Sequence, residues 1–519
     1  MRPLFLTLFV CSLRLCSADA DDLRLSPEDR RAEVEWLERL GLKVPEGGPL
    51  LEAPFSEPLS RRSFLVPTSW WRQPGPRDVS ASAMRQDVAV LHTIMKKAYG
   101  GWDSAIKLGW DWDAWFREWD RDLAAKGDAR LGLAEALAPF ERLERVQLDN
   151  HSGPLDRSVS YESGSRTAVL ASAPKDTCTQ MKTNTGEVLP LQPQDPAQAP
   201  KRAQILAGPE SAGVEGFYLS YPSRRGEATA VQCGGDWIPL RMWGSTSRQA
   251  AISELAGRDG GVPSYRTLAE KIGYLRLPTF SKQTGELVRK LVAALPPGAG
   301  KEKLLVVDLR RNGGGDNVMA QMRQWVDVAA LRQAMRGNRR MPQSCVYDAL
   351  RWGYTQITSQ ALTPALSTGL RNNLQGQLNG LFQPGPVGCP RTVSEVGSDW
   401  NYRRHDATAR PPAGHPRLML LTDRGCGSDC EYMVYVLAAV PGSVVVGEST
   451  FGVGQFVQPG YFILPHTLLK FRIALGMSDN YGDGRSFDGY GLGPDILLAS
   501  EEANRPETIL KLAQRLAEF

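Results

Sequence analysis

The sequence predicts an α/β protein with an N-terminal helical domain and a small β-rich region, and three observations indicate this class. From residue 270 onward, short apolar runs typical of buried strands alternate with longer segments of helical periodicity, as they do in βαβ units. Residues 80–154 instead carry apolar side chains at the three- and four-residue spacing of amphipathic helices. Residues 155–268 hold only short β-like runs separated by Pro, Gly and Gln, which indicates the β-rich region.

The first twenty residues have the pattern of a secretory signal peptide. Arg2 precedes a mostly apolar stretch from Leu4 to Cys16, and Ser17-Ala-Asp-Ala20 supplies an A-x-A cleavage site after Ala20. The apolar stretch is too short to span a bilayer, and no later segment approaches the roughly 20 apolar residues of a transmembrane helix. We therefore expect an exported protein, periplasmic or extracellular, without stable membrane insertion.

Changes in composition along the 519 residues divide the chain into segments. They are a signal peptide (1–20), an N-terminal helix and linker (21–79), a helical domain (80–154), a β-rich region (155–268), an α/β core split into 269–334 and 414–500, a polar insertion in that core (335–413) and a C-terminal helix (501–519). Within the helical domain, Trp112, Trp115 and Trp119 have helical spacing. This spacing favours core packing, although an exposed cluster would form a platform for stacking sugars.

Composition and charge exclude several functions. Apolar residues make up 42% of the chain and charged residues 23%, as in ordinary soluble domains. The formal net charge of +4 is small, and no basic run is interleaved with aromatic residues, so we expect no nucleic-acid partner. The five histidines show no ligand spacing and no Cys-x2-Cys pair occurs, so the sequence predicts no metal site.

Export changes the interpretation of the cysteines. The six that follow the signal peptide are Cys178, Cys233, Cys345, Cys389, Cys426 and Cys430. An even number in an oxidising compartment indicates three disulfides, although six cysteines allow many pairings. Proximity in the sequence favours the pairs 178–233, 345–389 and 426–430.

The most informative segment is an apolar run, Leu418 to Leu421, followed by a glycine-flanked break and a helical pattern from Asp429. A strand, a sharp turn and a helix in succession place Ser428 at the helix N-terminus. There the backbone N–H groups and the helix dipole favour developing negative charge, as a nucleophilic serine requires. A lone serine before a helix is ordinarily only an N-cap, so the neighbouring segments decide between the two interpretations.

The segment Val306-Val-Asp-Leu-Arg-Arg-Asn-Gly-Gly-Gly315 is an apolar strand that runs into three glycines. Such backbone can approach a ligand closely and present free N–H groups. Beside a nucleophilic Ser428, the N–H groups of Gly314 and Asp429 would form an oxyanion hole. Taken alone the segment is a glycine-rich turn, and its spacing fits neither a Walker motif nor a dinucleotide fingerprint.

His151 lies in a polar turn, Gln147-Leu-Asp-Asn-His-Ser-Gly, that leaves the helical domain. The pKa of histidine suits a general base, although a lone loop histidine is ordinarily only solvated. Asp488, in a tight turn near the end of the α/β core, would orient this histidine. Glu431 and Glu448 are alternatives for the same role.

Five blocks of sequence occur in an order that is typical of one family. They are Ile272-Gly-Tyr-Leu-Arg-Leu-Pro-Thr-Phe280, Asp308-Leu-Arg-Arg-Asn-Gly-Gly-Gly315, Ser428-Asp-Cys-Glu431, Gly447-Glu-Ser-Thr-Phe-Gly452 and Gly491-Leu-Gly-Pro-Asp495. Together they resemble the C-terminal-processing (tail-specific) serine peptidases, relatives of tricorn protease and of interphotoreceptor retinoid-binding protein. The resemblance covers residues 80–155 and 270–500. It implies a crotonase-like mixed βαβ core, a peptide or protein substrate and no cofactor.

The resemblance also shows departures from the family pattern. The tail-specific branch uses a Ser–Lys dyad, and Val453 stands here where the resemblance would place the lysine. The Asp-Asn-His151-Ser block is instead similar to the tricorn-like branch, in which histidine is the base. A glutamate supports that histidine through a serine in the tricorn-like branch, and Asp488 is the nearest match. Residues 155–265 show no PDZ-like pattern.

The sequence therefore predicts an exported serine endopeptidase of the tricorn-like branch, with Ser428 as nucleophile, His151 as base and Asp488 orienting the base. A second hypothesis is a catalytically silent relative that binds an apolar ligand or a peptide. A third is a carbohydrate-binding surface protein, which solvent exposure of Trp112 and Trp115 would indicate.

Overall fold

The computed structural model describes residues 27–44, 66–107, 109–143, 149, 151–155, 165–171, 178–190, 201–205, 216–222, 228–242, 262–280, 284–295, 301–315, 322–323, 325–326, 337–359, 366, 368–383, 391–398, 409–479, 488, 491–498 and 505–519. The predicted signal peptide (1–20) and Cys389 lie outside these residues. Within them, no helix is long and apolar enough to cross a membrane.

Helices and strands follow the periodicities of the sequence. The helices are α1 (Pro27–Arg39), α2 (Thr68–Arg72), α3 (Ala81–Ala98), α4 (Trp102–Lys107), α5 (Trp112–Ala124), α6 (Leu133–Ala136), α7 (Ala138–Leu143), α8 (Thr284–Ala293), α9 (Cys345–Ser359), α10 (Thr368–Phe382), α11 (Asp429–Leu437) and α12 (Pro506–Glu518). The strands up to the central sheet are β1 (Asp78–Ser80), β2 (Arg130–Gly132), β3 (Gly153–Pro154), β4 (Ser165–Ala171), β5 (Cys178–Thr183), β6 (Val188–Pro190), β7 (Lys201–Ile205), β8 (Gly216–Pro222), β9 (Ala228–Cys233), β10 (Asp236–Pro239) and β11 (Arg241–Met242). The later strands are β12 (Ser264–Ala269), β13 (Ile272–Arg276), β14 (Leu304–Asp308), β15 (Gly337–Gln343), β16 (Thr392–Ser398), β17 (Arg417–Thr422), β18 (Val444–Gly447), β19 (Phe456–Ile463), β20 (Lys470–Asp479) and β21 (Ile496–Leu497).

The N-terminal helices pack around an aromatic core. Ser80 caps α3, because its hydroxyl accepts the backbone N–H of Ala83 at 3.1 Å. Trp112, Trp115 and Trp119 on α5 are all buried, with at most 5% of each exposed. The helical spacing points them inward, so the exposed aromatic platform of the carbohydrate hypothesis does not exist and that hypothesis is wrong.

The β-rich region forms two four-stranded antiparallel sheets. Their strand orders are β10-β9-β5-β6 and β11-β4-β8-β7. In the first sheet Cys178 on β5 lies directly opposite Cys233 on β9.

The central sheet confirms the predicted α/β class. Its strand order is β12-β13-β14-β17-β18-β21, and every pair except β12–β13 is parallel. Along β14, Leu305 and Val307 face the core shared with α8 and α11, whereas Leu304 and Val306 face the core shared with α12. Successive strand residues point to opposite faces, so a continuous apolar run is what a sheet covered on both faces requires.

A second sheet, with the order β16-β15-β20-β19, is antiparallel and takes its first two strands from the predicted insertion. Helix α9 of that insertion contributes Val346 and Leu350 to the core that holds the N-terminal helices. The polar composition of residues 335–413 does not predict this packing, because polar side chains can occupy the outer face of an amphipathic helix. Strand β3 pairs with β20 and thereby brings the His151 turn against this sheet.

Candidate active site

Three neighbouring parallel strands end at one edge of the central sheet. Strand β14 leads into the glycine loop, residues 309–315. Strand β17 leads into the nucleophile turn, residues 423–428, and β18 leads into the bridging segment, residues 448–456. In open α/β sheets the carboxyl ends of parallel strands line the ligand-binding crevice, so these three loops meet where a site is expected.

Ser428 lies at the N-terminus of α11 in a backbone conformation that non-glycine residues rarely adopt. Its φ is 56° and its ψ is −124°, and the residue is half-buried. Such a conformation costs on the order of 1–3 kcal/mol and persists only where the surrounding structure holds it. A strained turn between a strand and a helix is the arrangement that exposes the hydroxyl of a nucleophilic serine.

The glycine loop lies in direct contact with the nucleophile turn. A Cβ atom added to Gly314, which has a φ of 90°, would lie 2.5 Å from the Gly427 carbonyl oxygen and 2.8 Å from both Ser428 Cβ and Asp429 N. No side chain fits there, so glycine is required for this approach. The structure thus brings together three of the predicted site residues: the nucleophile and both candidate oxyanion donors.

Asn312, which the sequence analysis did not single out, organises the glycine loop. Its side-chain Oδ1 accepts the N–H of Gly314 at 2.9 Å, and its Nδ2 donates to the carbonyl of Leu277 at 2.9 Å. Its own carbonyl accepts the N–H of Gly427 at 3.0 Å. The Gly314 N–H proposed for an oxyanion is therefore bonded to Asn312 in this structure.

Glu431 is fully buried and ties the nucleophile turn to the bridging segment. Its Oε2 accepts the N–H groups of Ser428 at 3.1 Å and of Val453 at 2.7 Å. Its Oε1 accepts the hydroxyl of Thr450 and the N–H of Gly452, each at 2.6 Å. Burial raises the pKa of Glu431 to about 7, although these four hydrogen bonds oppose the rise. Glu431 therefore bonds to the backbone of Ser428, the candidate nucleophile, whereas the sequence offered it as a support for the base.

Val453 and Glu448 both lie in the bridging segment, beside the nucleophile turn. The Cγ2 atom of Val453 is 3.3 Å from the position of a Cβ added to Gly427, so Val453 packs against the nucleophile turn. Glu448 is buried, and its Oε2 lies 4.0 Å from the Nε atom of Arg424 in the nucleophile turn.

His151 lies just before β3, on the side of the second sheet. Its backbone N–H donates to Asp149 Oδ1 at 2.7 Å, and its ring lies near the backbone of Phe456. Burial lowers the pKa of His151, the charge of Arg472 lowers it further, and the charge of Asp149 and the nearby Phe456 backbone oppose the change. The imidazole is therefore neutral near pH 7. In the described part of the chain, no hydrogen bond joins His151 to Ser428.

Asp488 is buried against the bridging segment. Its carboxylate accepts the N–H of Gln455 at 2.7 Å and of Phe456 at 3.4 Å. Burial, reinforced by the charge of Glu431, raises the pKa of Asp488 well above its ordinary value. The backbone of Phe456 also lies near the His151 ring, so Phe456 is a neighbour shared by Asp488 and His151.

Cys426 and Cys430 lie on either side of Ser428, and both are fully buried. The structure places their sulfur atoms 2.04 Å apart and their Cα atoms 5.3 Å apart. Cys345 begins α9, while its predicted partner lies outside the described residues. No group of three or more His, Cys, Asp or Glu side chains in the described ranges is placed to hold a metal ion.

Residues 271–498 match peptidase family S41. This part of the chain contains the sheet edge and its three loops, and the match confirms the resemblance drawn from the motifs. The family indicates a serine-type peptidase with a peptide or protein substrate.

The chain is also similar to several solved structures at low sequence identity. Mature CPAF complexed with lactacystin is 13% identical, with a TM-score of 0.41, over 84% of this chain and 99% of that one. The photosystem II D1 C-terminal processing protease is 13% identical, with a TM-score of 0.34, over 83% and 97% of the two chains. The tricorn protease is 13% identical, with a TM-score of 0.32, over 84% and 37%. No curated protein matches the chain.

Proposed function

We propose that the protein is an exported serine endopeptidase in which Ser428 is the nucleophile and His151 the general base. The observation that carries this proposal is the contact between Ser428, at the N-terminus of α11, and Gly314 of the glycine loop. Backbone N–H groups and a helix N-terminus beside a half-exposed hydroxyl suit a reaction that develops an oxyanion. The match to a family of serine-type peptidases supports the same chemistry.

In the proposed reaction, Ser428 Oγ attacks the scissile carbonyl carbon while His151 takes the hydroxyl proton. The resulting tetrahedral oxyanion accepts hydrogen bonds from the N–H groups of Asp429 and Gly314. When the C–N bond breaks, the protonated His151 gives its proton to the departing amine. Water then attacks the acyl-enzyme by the same route, which releases the carboxylic acid and restores Ser428.

His151 is proposed as the base for two reasons. Val453 occupies the position where the Ser–Lys dyad would place a lysine, so the chain needs another proton acceptor. The lowered pKa of His151 keeps the imidazole neutral at pH 7, as an acceptor must be. Catalytic hydrogen bonds often form fully only when substrate binds, so we propose that His151 reaches Ser428 in the substrate complex.

The oxyanion hole requires Gly314 N–H to serve two acceptors or to change partner. In this structure it donates to Asn312 Oδ1 at 2.9 Å. We propose that an arriving oxyanion shares this N–H, since a charged acceptor forms a stronger hydrogen bond than a neutral amide oxygen. Asp429 supplies the second donor from the first turn of α11.

A second candidate function is a catalytically silent relative that binds an apolar ligand or a peptide. Two observations favour it: Val453 replaces the dyad lysine, and no hydrogen bond between Ser428 and His151 is found in the described residues. Such a protein would have the same fold and the same nucleophile turn, yet would not cleave peptide bonds.

Export is proposed from the signal-peptide pattern and from the cysteine pairs. Cys426 with Cys430, and Cys178 with Cys233, are placed as disulfide partners would be, and disulfides persist in oxidising compartments. The mass of the protein recovered from the periplasm or the medium tests this, since the exported chain should begin at Asp21. Recovery only in the cytoplasm, with the first twenty residues intact, would contradict export.

Hydrolysis of an unstructured protein such as casein tests the proposed activity. We expect the wild type to cleave casein and Ser428→Ala to lose all cleavage while remaining folded. Ser80→Ala is the matched control, because Ser80 also stands at a helix N-terminus but only caps α3. It should lose roughly 0.5–2 kcal/mol of stability and keep its activity. Equal cleavage by Ser428→Ala would make Ser428 a helix cap and nothing more.

A further inference from the structure

Asp423 is the first residue of the nucleophile turn and lies against the glycine loop. It directly follows β17, and only 13% of its side chain is exposed. A single oxygen, Oδ1, accepts the N–H of Arg311 at 2.7 Å and the N–H of Gly425 at 2.8 Å. Arg311 belongs to the glycine loop and Gly425 to the nucleophile turn, so one carboxylate oxygen bridges the two.

The backbone at this bridge is close-packed and strained. Arg311 has a φ of 63°, which non-glycine residues rarely adopt. A Cβ atom added to Gly425 would lie 2.5 Å from the Arg311 Cα atom, so the backbones of the glycine loop and of the nucleophile turn are in contact. The Arg311 guanidinium Nε also lies 3.7 Å from Asp423 Oδ2. The hydrogen bond from the Arg311 N–H to Asp423 therefore stabilises the glycine loop at the residue whose backbone conformation is strained.

A second link lies a few residues away, where the Asn312 carbonyl accepts the N–H of Gly427. Two links leave the glycine loop little freedom to slide along the nucleophile turn. These links also fix the position of Gly314, which contacts Ser428 and Asp429 just beyond the second link. Hydrogen-bond donors stabilise an oxyanion only when they are held in the correct place before the reaction begins.

We propose that Asp423 is a positioning residue that sets the register of the glycine loop against the nucleophile turn and thereby aligns the oxyanion donors with Ser428. It does not touch the reacting atoms. This inference rests on the proposed function, because it assigns a role in the same reaction.

Three variants test the role of Asp423. Asp423→Ala removes the side-chain oxygen that accepts both backbone N–H groups. We expect kcat to fall about 10- to 100-fold with KM within about threefold, since small misplacement of catalytic groups costs about that much. Asp423→Asn keeps the Oδ1 acceptor and should recover most of the activity. Asp87→Ala is the control, because Asp87 also accepts two backbone N–H groups, those of His466 and Thr467, but in the core with the N-terminal helices. It should lose stability and keep its kcat.

A transition-state analogue separates positioning from general damage. A peptide boronate, which forms a tetrahedral adduct with the nucleophile, should lose affinity for Asp423→Ala in proportion to kcat/KM. A substrate peptide binding to the same variant in a Ser428→Ala background should keep its affinity. Equal loss of affinity for both ligands, or wild-type kcat in Asp423→Ala, would overturn the inference.

Hydrogen exchange gives a readout that does not need activity. Amides of residues 310–315 and 424–428 should exchange faster in Asp423→Ala and near the wild-type rate in Asp423→Asn. Unchanged exchange in Asp423→Ala would overturn the positioning role. An inactive wild type together with the expected exchange pattern would instead contradict the proposed peptidase function and leave the structural bridge standing.

Discussion

At the scale of single residues, burial decides how the ionisable groups of the site behave. Glu431 and Asp488 are buried and His151 is partly buried, and in each case the pKa moves in the direction that favours the neutral form of the group. A neutral imidazole is ready to accept a proton, and a pair of buried carboxylates resists ionising together. Burial therefore keeps His151 in the neutral form that can accept a proton, and it also disfavours the ionised forms of Glu431 and Asp488.

The pH dependence of the activity follows from His151. If it is the base, kcat/KM should rise with pH through an apparent pKa below 6.5, because burial lowers its pKa and only the neutral ring accepts a proton. His151→Ala should reduce kcat about 100- to 10,000-fold, the usual worth of general base catalysis. Val453→Lys should give no gain. His466→Ala is the control, since burial also lowers the pKa of His466 in the turn after β19. If the variant His151→Ala showed the same pH dependence of kcat/KM as the wild type, another residue would be the base.

Glu431 makes the stability of the fold depend on pH. Its pKa is about 7 in the folded protein, above its ordinary value near 4.5, so between those values the folded state binds more protons than the unfolded state. Its contribution to stability therefore falls as pH rises through that window. In Glu431→Gln this decline should be smaller. The side-chain amide N–H groups would, however, face the hydrogen-bond donors that now bond to Glu431, which lowers stability at every pH. Urea unfolding at pH 5 and pH 8 measures the slope, and an unchanged slope would contradict the assignment.

At the scale of elements, the site is built where three parallel strands of the sheet end. Strands β14, β17 and β18 are apolar, continuous and adjacent, and each ends in a glycine-containing loop. The sequence predicted these elements well, because a buried strand followed by glycines is a local signal. It did not predict β19 within residues 456–463 or the pairing of β3 with β20. The pairing of β3 with β20 depends on contacts between segments more than 300 residues apart, whereas β19 pairs with β20, the next strand in the sequence.

The pair Cys426–Cys430 braces the element that carries the nucleophile. The ring that it closes is short, so little stabilisation should come from loop entropy. Its effect should instead be to hold Ser428 at its positive φ. We expect a mild thiol reductant, or the double variant Cys426→Ser with Cys430→Ser, to lower kcat more than it lowers the melting temperature.

The matched control for the disulfide is the double variant Cys178→Ser with Cys233→Ser in the β-rich region, which should leave kcat unchanged. Mass spectrometry of the non-reduced protein gives a direct check of the pairing. Full alkylation of Cys426 and Cys430 without reduction would show that no such brace exists.

At the scale of the whole molecule, the nucleophile and the proposed base come from different cores. Ser428 belongs to the central sheet, whereas His151 lies on the second sheet, which packs with the N-terminal helices. The bridging segment connects them, since Glu431 accepts N–H groups from its middle and Asp488 accepts N–H groups from its end. The sequence could nominate Ser428, Gly314 and His151 from their motifs. It could not show that Glu431 serves the nucleophile or that Phe456 stands between Asp488 and His151, because those contacts depend on how the two cores meet.

Labelling with a fluorophosphonate probe, followed by peptide mapping, is the most direct test of whether Ser428 is an activated nucleophile. We expect one covalent adduct per chain, located on Ser428. The adduct should be absent from Ser428→Ala and should form much more slowly in His151→Ala. Labelling should be unchanged in Ser80→Ala. A folded wild-type protein that forms no adduct, or an adduct on any other serine, would contradict the claim and favour the catalytically silent alternative.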